Sequence, residues 1–482
     1  MKKNIARPLF ILLGLLAVTL VGLAYSETGP KPIPLVTPPP TPKPAPVVSG
    51  SNGPVSITGL LSQTMVYNGG NGTFSLALDM TAAELPMPET GILRHADLVI
   101  VLDRSGSMQG QKIRDAKQAI MELIANMGPQ DRLALVSYSD GVTTHTGLVS
   151  PTESNLDMFR SLVDGIYANG STNLSGGLQA GIDLLRAARS NDNQQKIILI
   201  SDGLANRGIT DPNALGEIAA SAVRNEFSLS TVGVGLEFNE QLMTLLADRG
   251  TGTYYFLENP IAFAKVFQKE LAQTRQVAAS GLEVIVPLPN GVTLIDAGGY
   301  PVEIRNNQAV FYPGDLLSGQ TRKLFLTFRI PTDQEREFEL AGIQLNYKTE
   351  GKTITVAMDK PFKVACVKDQ RRATASIDKA VWEKKVIQDD YNRLRDNVAK
   401  DLKSGRKEEA MKKIDSYYKE QSTINSTVQS EEVSQNLDRD IETLKQTVND
   451  TFTGSEDEIA QKQKGNSKAI QHEGYLKRRS KY

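Results

Sequence analysis

The sequence has very few residues that could form disulfide bonds or thiolate metal sites. Cys366 is the one cysteine among 482 residues, which excludes an intramolecular disulfide and a zinc site built on thiolates. It lies in the apolar run FKVACV, where we expect a buried, inert thiol. The three histidines, His95, His145 and His472, are scattered and do not have the spacing of metal ligands. Packing must therefore stabilise the fold.

Neither sign of charge is in excess. The chain has 54 Lys and Arg residues against 55 Asp and Glu residues, which gives a formal net charge of -1 at pH 7. A general nucleic-acid binder needs a strong basic excess, so we expect no nucleic-acid partner. The composition is otherwise that of a globular protein, with 40% apolar residues, and the chain is too long for a single hydrophobic core. Its length predicts several domains.

The first 26 residues have the pattern of an export signal. Residues 1–26 begin with basic side chains, continue with an uncharged apolar run and end in a small-x-small site formed by Ala24 and Ser26. This pattern predicts either a cleaved signal peptide or a retained N-terminal anchor, which would be the only membrane contact. In both cases we expect an exported protein that is periplasmic, cell-surface or secreted. Residues 27–53 follow as a proline-rich linker, which we expect to form an extended polyproline II spacer.

Two separated stretches have the alternating pattern of half-buried strands. Residues 54–91 contain VSITGLLSQTMVY and GTFSLALDM, and residues 276–368 contain GLEVIVPLP, RKLFLTFRIP and KTITVAMDK with Gly, Pro and Asn turns between them. Two strands cannot bury an apolar face alone, so we expect the first stretch to pair with the second. The pattern predicts an antiparallel β-sandwich into which another domain is inserted, or which flanks it.

The segment between these stretches, residues 92–275, alternates apolar runs of strand length with helical patterns. The apolar runs are DLVIVLD, RLALVSYS, KIILISD and LSTVGVG. The predicted helices lie at 111–126, 154–166, 174–189, 213–225 and 239–248. Strands buried on both faces and linked by helices are typical of a doubly wound, Rossmann-like α/β fold with a parallel sheet. The run VTTHTGLVS alternates instead and predicts an antiparallel edge strand.

The C-terminal part of the chain is charged and has helical periodicity. Over residues 369–452, apolar side chains recur at near-helical spacing in three stripes, the first separated from the second by KSGR. We expect a helical hairpin or three-helix unit, which packs either on its own chain or, in a coiled-coil manner, on a partner. Residues 453–482 are polar and end in a basic run, and we expect this tail to be disordered, with contact between its basic end and an anionic surface as a weaker alternative.

Three polar loops of the 92–275 segment are placed where an α/β sheet binds ligands, beyond the carboxyl ends of its strands. DRSGSM supplies Asp103, Ser105 and Ser107, NGSTNLSGGL supplies Thr172, and ISDGLAN supplies Asp202. Asp, Ser and Thr before a helix are ordinarily N-caps, which would explain any one of these loops. Capping does not explain why all three loops carry hard oxygen ligands and none carries a catalytic His or Lys.

A divalent cation accounts for the three loops together. Mg²⁺ prefers oxygen ligands, keeps several waters and typically takes one or two carboxylates. The two serine hydroxyls, the threonine hydroxyl and the two aspartates supply such a set, and the two negative charges balance the ion. Mn²⁺ is a second candidate because the ligands are equally hard for it. We expect Gly106, between the two serines, to let the backbone turn tightly enough for both hydroxyls to face the ion.

The same motifs resemble a von Willebrand factor type A (VWA) domain. The resemblance rests on DLVIVLDRSGSM, RLALVSYSDGV, GSTNLSGGL and KIILISDGLAN, covers about 92–275, and includes every position of that family's metal-ion-dependent adhesion site. It implies that Asp103, Ser105, Ser107, Thr172 and Asp202 bind the metal directly or through water. It also implies an open coordination position that accepts a Glu or Asp carboxylate of a partner protein. The flanking sandwich and helices resemble bacterial exported multidomain proteins that carry this domain.

These features favour a non-enzymatic binding protein of the cell envelope or exterior, which engages a protein partner through bound Mg²⁺. An alternative is a structural or assembly component of an envelope complex, in which the metal only stabilises the loops. A metal-dependent hydrolase would need a positioned base or nucleophile, and we expect none. His145 is predicted on the edge strand, facing solvent. The loop NGSTNLSGG lacks the spacing and the lysine of a phosphate-binding P-loop.

Overall fold

The computed structural model describes residues 46–86, 94–188, 193–202, 205–225, 227–257 and 260–479. The predicted signal or anchor, and the linker up to residue 45, lie outside these ranges. No helix within them is both long enough and apolar enough to cross a bilayer.

Strands and helices fall into three groups along the chain. The strands are β1 (Val48–Asn52), β2 (Val55–Leu61), β3 (Met65–Tyr67), β4 (Thr73–Ala82), β5 (Ala96–Asp103), β6 (Arg132–Tyr138), β7 (Val142–Val149), β8 (Gln194–Ser201), β9 (Ser228–Val234), β10 (Thr251–Leu257), β11 (Val277–Pro287), β12 (Thr293–Ala297), β13 (Glu303–Arg305), β14 (Gln308–Leu317), β15 (Thr321–Arg329), β16 (Arg336–Leu340), β17 (Gln344–Thr349), β18 (Lys352–Ala357) and β19 (Phe362–Val367). The helices are α1 (Gln111–Asn126), α2 (Glu153–Asp164), α3 (Leu174–Ala188), α4 (Pro212–Arg224), α5 (Glu240–Arg249), α6 (Pro260–Arg275), α7 (Gln370–Ala375), α8 (Lys379–Lys385), α9 (Tyr391–Lys403), α10 (Lys407–Val428), α11 (Glu431–Thr451) and α12 (Glu456–Arg478).

The central group is a doubly wound α/β domain, as the apolar runs predict. Its sheet has the order β10-β9-β8-β5-β6-β7, with parallel pairing except for β7, which runs antiparallel to β6 at the edge. Every residue of β5 is buried, because α1, α2 and α6 cover one face of the sheet while α3, α4 and α5 cover the other. Neither β10 nor α6 was predicted from the sequence.

The flanking strands form the expected antiparallel sandwich. One sheet has the order β1-β2-β4-β15-β12 and the other β13-β14-β11-β17-β18, and side chains of both sheets share one hydrophobic core. Strand β4 pairs with β15 from Thr81 opposite Thr321 to Thr73 opposite Arg329. The predicted pairing across the inserted domain is therefore confirmed. A third small sheet, β16-β19-β3, holds Cys366, whose thiol is buried as predicted.

The linker prediction is wrong at its C-terminal end. Residues 48–52, which the proline-rich composition placed in the spacer, form β1 and pair antiparallel with β2 from Val48 opposite Gly59 to Asn52 opposite Val55. Gly53 turns the chain between the two strands with a positive φ of 60°, a conformation that glycine adopts without steric cost. Pro46, the last proline before this strand, therefore lies directly beside the start of the sandwich.

The C-terminal helices confirm the predicted helical unit and correct the predicted tail. The apolar stripes of α9, α10 and α11 form a common core that includes Leu394, Ile414 and Leu437. Residues 456–478, expected to be disordered, form the helix α12, which begins with a capping box between Ser455 and Glu458. The prediction failed because half of the residues that α12 buries, Ser467, Lys468 and Arg478, are polar or charged, and a hydrophobic pattern does not reveal such a helix.

Candidate metal centre

Two adjacent parallel strands deliver the candidate ligands to one edge of the central sheet. Strand β5 ends at Asp103, and the neighbouring β8 ends at Ser201, directly before Asp202. Because both strands run in the same direction, the two aspartates leave the sheet at its carboxyl edge, where α/β folds bind ligands. Both carboxylates are fully buried.

A chain of hydrogen bonds joins the first and third loops. The backbone N–H of Ser105 donates to Asp103 Oδ1 at 2.8 Å, and the hydroxyls of Ser105 and Ser107 lie 3.1 Å apart. The Ser107 hydroxyl then donates to Asp202 Oδ1 at 2.7 Å. Four of the five residues predicted from the sequence are thus within one hydrogen-bonded cluster.

Thr172 is held beside this cluster by its backbone. Its N–H donates to Asn206 Oδ1 at 2.8 Å, and its carbonyl accepts from the N–H groups of Asn206 and Arg207. The loop that carries it also accepts a 3.0 Å bond at Gly170 O from Gly106 N–H. All three predicted loops are therefore tied to one another, and Thr172 is 3% exposed at their junction.

The role expected for Gly106 is not supported. A Cβ added at this position would meet only Gly170 O, at 3.5 Å, which is an ordinary contact. The hydrogen bond between Gly106 N–H and Gly170 O, which any residue except proline could make, holds the turn instead.

Two side chains in the cluster were not identified from the sequence. The Ser201 hydroxyl donates to Asp103 Oδ2 at 2.8 Å, and Lys112 forms an ion pair with Asp202 Oδ2 while also bonding Ser107 O at 3.2 Å. The signal for Ser201 was its position at the end of β8, next to Asp202. The signal for Lys112 was its place in the first turn of α1, directly after the loop that carries both serines.

The electrostatics of the cluster favour an added cation. Burial raises the pKa of the Asp103 carboxyl, and the charge of Asp202 raises it further, while hydrogen bonds from Ser105 and Ser201 act in the opposite direction. Among the described residues, Lys112 is the one ammonium that pairs with either of these buried carboxylates, and its partner is Asp202. The donors are carboxylate and hydroxyl oxygens, which suit Mg²⁺ and Mn²⁺. The residues present therefore fit a hard divalent cation.

The described ranges contain no group of three or more His, Cys, Asp or Glu side chains that could hold a metal ion, and the candidate centre has only two, Asp103 and Asp202. The candidate centre thus depends on its hydroxyls as well as on its two carboxylates.

His145 was expected to face solvent, and the structure differs. It is half-buried on β7, and its Nε2 lies 2.7 Å from the Ser137 hydroxyl. Burial, followed by the charge of Arg104, lowers the pKa of this histidine.

The fold is an α/β domain with a candidate cation site at the carboxyl edge of its sheet. The family model described as "von Willebrand factor type A domain" matches residues 97–269. The chain therefore carries a VWA domain, inserted in an antiparallel sandwich and followed by a helical region.

Proteins with similar sequences include heavy chains of the inter-alpha-trypsin inhibitor. Heavy chain H3 of Rattus norvegicus is 30% identical over 225 residues, which are 45% of this chain and 24% of that protein. Heavy chain H1 of Homo sapiens is 24% identical over 325 residues, which are 65% of this chain and 32% of that protein. The matches thus span a third or less of these relatives.

Solved structures share the fold beyond the VWA domain. A von Willebrand factor type A protein from Catenulispora acidiphila has a TM-score of 0.58 at 16% identity and covers 81% of this chain and 91% of its own. The ArnB paralog VWA2 from Sulfolobus acidocaldarius has a TM-score of 0.51 at 17% identity and covers 87% of this chain and 98% of its own. Both coverages exceed the length of the VWA domain, so the likeness includes parts of the sandwich and helices.

Proposed function

We propose that this VWA domain binds a protein partner through a divalent cation, Mg²⁺ or Mn²⁺, held by Asp103, Ser105, Ser107, Thr172 and Asp202. VWA domains generally mediate protein–protein interaction. The observation that carries the proposal is the hydrogen-bonded convergence of Asp103, Ser107 and Asp202 at the carboxyl edge of the sheet. When bound, the cation would supply a hard Lewis acid with a coordination position for a Glu or Asp carboxylate of the partner.

The protein's own residues prepare the site. The bonds from Ser105 N–H and the Ser201 hydroxyl fix the orientation of the Asp103 carboxylate. The Ser107 hydroxyl fixes Asp202 through Oδ1, and Oδ2 is held by the Lys112 ammonium. The Lys112 side chain is about a third exposed, so it can turn toward solvent when Asp202 binds a cation.

A binding role is favoured over a purely structural one. The three loops are already tied by hydrogen bonds of the chain itself, between Ser107 and Asp202, Gly106 and Gly170, and Asn206 and Thr172. A cation is therefore not required to hold them together. The competing proposal, a structural component in which the metal only stabilises these loops, predicts that the loops loosen without it.

We further propose that the protein is exported and not an enzyme. Export is supported by the signal-like pattern of residues 1–26 and the proline-rich stretch that follows. A bacterial multidomain architecture fits the sandwich and helices around the VWA domain. The His145 ring, which is half-buried on the edge strand and bonded to Ser137, is a poor candidate for a general base.

Metal binding is tested by titrating the full chain with Mg²⁺ and Mn²⁺ in a calorimeter. We expect saturable binding that is lost in Ser107→Ala and in Asp202→Asn, and retained in the control Ser161→Ala on α2, whose position is exposed. Absence of a heat of binding with either ion would overturn the metal assignment.

Partner binding is tested by capture from envelope extracts with immobilised protein. We expect the immobilised protein to capture a partner, EDTA to abolish this capture, and added Mg²⁺ or Mn²⁺ to restore it. The double variant Ser105→Ala, Ser107→Ala should lose capture while remaining folded by circular dichroism, and Ser161→Ala should keep capture. A lower melting temperature with unchanged capture would instead support the structural role.

A further inference from the structure

A cavity of about 830 Å³ lies outside the VWA domain. Its walls come from the outer face of β4 and β15 on one side and from α8, α9 and α10 on the other. No wall residue belongs to the 94–276 segment that contains the candidate metal centre. Its volume is within the range of about 300–1,000 Å³ that is usual for small-molecule sites.

One buried side chain of this cavity has an unused hydrogen-bonding atom. Gln421 of α10 lines the cavity and is only 6% exposed, yet its Oε1 has no hydrogen-bond partner among the described residues. The Nε of Arg393, on the opposite helix α9, is likewise without a partner. Unsatisfied buried polar groups are destabilising, so natural proteins rarely keep them unless a water or ligand completes them.

The ligand that would form hydrogen bonds with Gln421 Oε1 and Arg393 Nε is not strongly charged. The Arg393 guanidinium already bonds Asp389 at 2.6 Å, and Lys385 bonds both oxygens of Asp390. Four further charged groups of the wall form no ion pair with any described residue: Arg329, Lys412, Glu409 and Glu420, two of each sign. These charges cancel, and the cavity therefore does not attract an anion such as phosphate.

The rest of the wall is suited to hydroxyl groups. It carries amides and hydroxyls, among them Gln63, Asn397, Ser416 and Thr73, beside the apolar surfaces of Trp382 and Ile424. A sugar hydroxyl both donates and accepts hydrogen bonds, so it can satisfy an acceptor such as Gln421 Oε1 and lie near a donor such as Arg393 Nε. The C–H surfaces of a sugar ring can pack on the apolar part of the wall.

We propose that this cavity is a second binding site, which takes a neutral polyhydroxy ligand of the oligosaccharide class. It is separate from the candidate metal centre, and its ligand binds whether or not a cation is present. Ligand binding in the cavity can be followed by tryptophan fluorescence, because Trp382 is the only tryptophan of the chain and lies in the wall.

The test titrates the full chain with maltotriose, cellotriose and triacetylchitotriose while the fluorescence of Trp382 is recorded, with and without EDTA. We expect a saturable change with at least one of these sugars that EDTA does not alter. Each sugar is also offered attached to a soluble carrier through its reducing end. Binding of both forms identifies a stretch of a glycan chain, binding of the free form alone identifies a diffusible sugar, and either result supports the proposal.

The variant Gln421→Met separates binding from folding. It removes the unsatisfied amide at similar volume, so we expect a higher melting temperature for the free protein and at least tenfold weaker sugar binding. The control Gln446→Met, at an exposed position of α11, should change neither quantity. No fluorescence response to millimolar sugar, a response to tetra-alanine or inorganic phosphate instead, or unchanged affinity in Gln421→Met would each overturn the proposal.

Discussion

The hydroxyl of Tyr475, in the last helix of the chain, accepts a 3.0 Å hydrogen bond from the backbone N–H of Tyr254 in β10. Strand β10 is the edge of the VWA sheet, and an unprotected edge can pair with other chains. The two rings also pack edge to face, with centroids 5.5 Å apart. Helix α12 thus contacts this sheet edge and links the end of the helical region to the VWA domain.

Replacing Tyr475 with Phe should weaken this link. The change removes the acceptor and leaves the buried N–H of Tyr254 unsatisfied, so we expect the free energy of unfolding to fall by about 1–3 kcal/mol. Urea unfolding measures the difference. The control Tyr418→Phe removes an exposed hydroxyl that bonds Asp438, and should stay within about 0.5 kcal/mol of the parent. Equal effects of the two variants would contradict the docking role of Tyr475.

The buried ring of His472 should make stability depend on pH. Burial lowers the pKa of His472 to about 4, and its ring packs edge-on against Tyr254 and Phe256. In the unfolded chain the pKa of this imidazole is about 6.5. Below that pH, the unfolded state therefore binds a proton that the folded state does not bind. The full stability is present above pH about 6.5 and declines as the pH falls toward about 4.

Between pH about 6.5 and 5, this histidine should account for a loss of about 2 kcal/mol. Chemical denaturation at both pH values, compared between the parent and His472→Gln, isolates the contribution because the carboxylates are common to both proteins. The parent should lose more stability than the variant over this interval. Identical losses would show that the ring is already accessible to protons in the folded state.

Lys112 should compete with a cation for Asp202. Its ammonium and a bound cation would share Asp202 Oδ2, so Lys112→Met should make Mg²⁺ binding tighter by about tenfold, while lowering the stability of the protein in EDTA. Calorimetry and melting with and without Mg²⁺ measure the two effects. The control Lys117→Met is on the same helix, where Lys117 bonds Asp164 O, and should leave the affinity unchanged. Weaker Mg²⁺ binding in Lys112→Met would assign the lysine a supporting role at the site.

Two lysines of α12 should differ in their contribution to stability. Lys468 is 4% exposed and bonds Glu240 at 2.7 Å and Phe238 O at 2.9 Å, whereas Lys464 bonds Glu237 from a half-exposed position. Breaking a buried pair costs about 3–5 kcal/mol, and a surface pair contributes about 0–1 kcal/mol.

We expect Lys468→Met to lower the free energy of unfolding by about 3 kcal/mol. This is the low end of the range for buried pairs, because Lys403 still pairs with Glu240. Lys464→Met should cost less than about 1 kcal/mol. Thermal unfolding of the two variants provides the comparison. A cost for Lys464→Met as large as that for Lys468→Met would mean that burial does not control these pairs.

The VWA part of the fold was predictable because burial there follows hydrophobicity. The run DLVIVLD is buried on every residue, and the alternating run around His145 is the antiparallel edge strand. The candidate site was predictable as a set of loops for the same reason, since the topology of a parallel sheet brings strand ends to one edge. Lys112 and Ser201 were missed because neither has a sequence signal apart from its position beside a predicted ligand.

The C-terminal helix could not be predicted in this way. Arg479 is buried although it is charged, because it forms two hydrogen bonds with Asp248 of α5. Arg478 is buried against Asp389 and Asp296, which are far away in the sequence. Such residues suggest a solvated tail until their partners are known, and only the tertiary structure identifies those partners.

The pairing of β4 with β15 also sets an order for folding. The hydroxyls of Thr81 and Thr321 lie 2.9 Å apart although the residues are 240 positions apart in the chain. During synthesis, β4 therefore emerges long before its neighbour, while the VWA domain between them has its own cores and can fold first. Until β15 arrives, β4 is an open edge that other nascent chains can reach. Slow folding of the inserted domain would thus appear as aggregation through the sandwich.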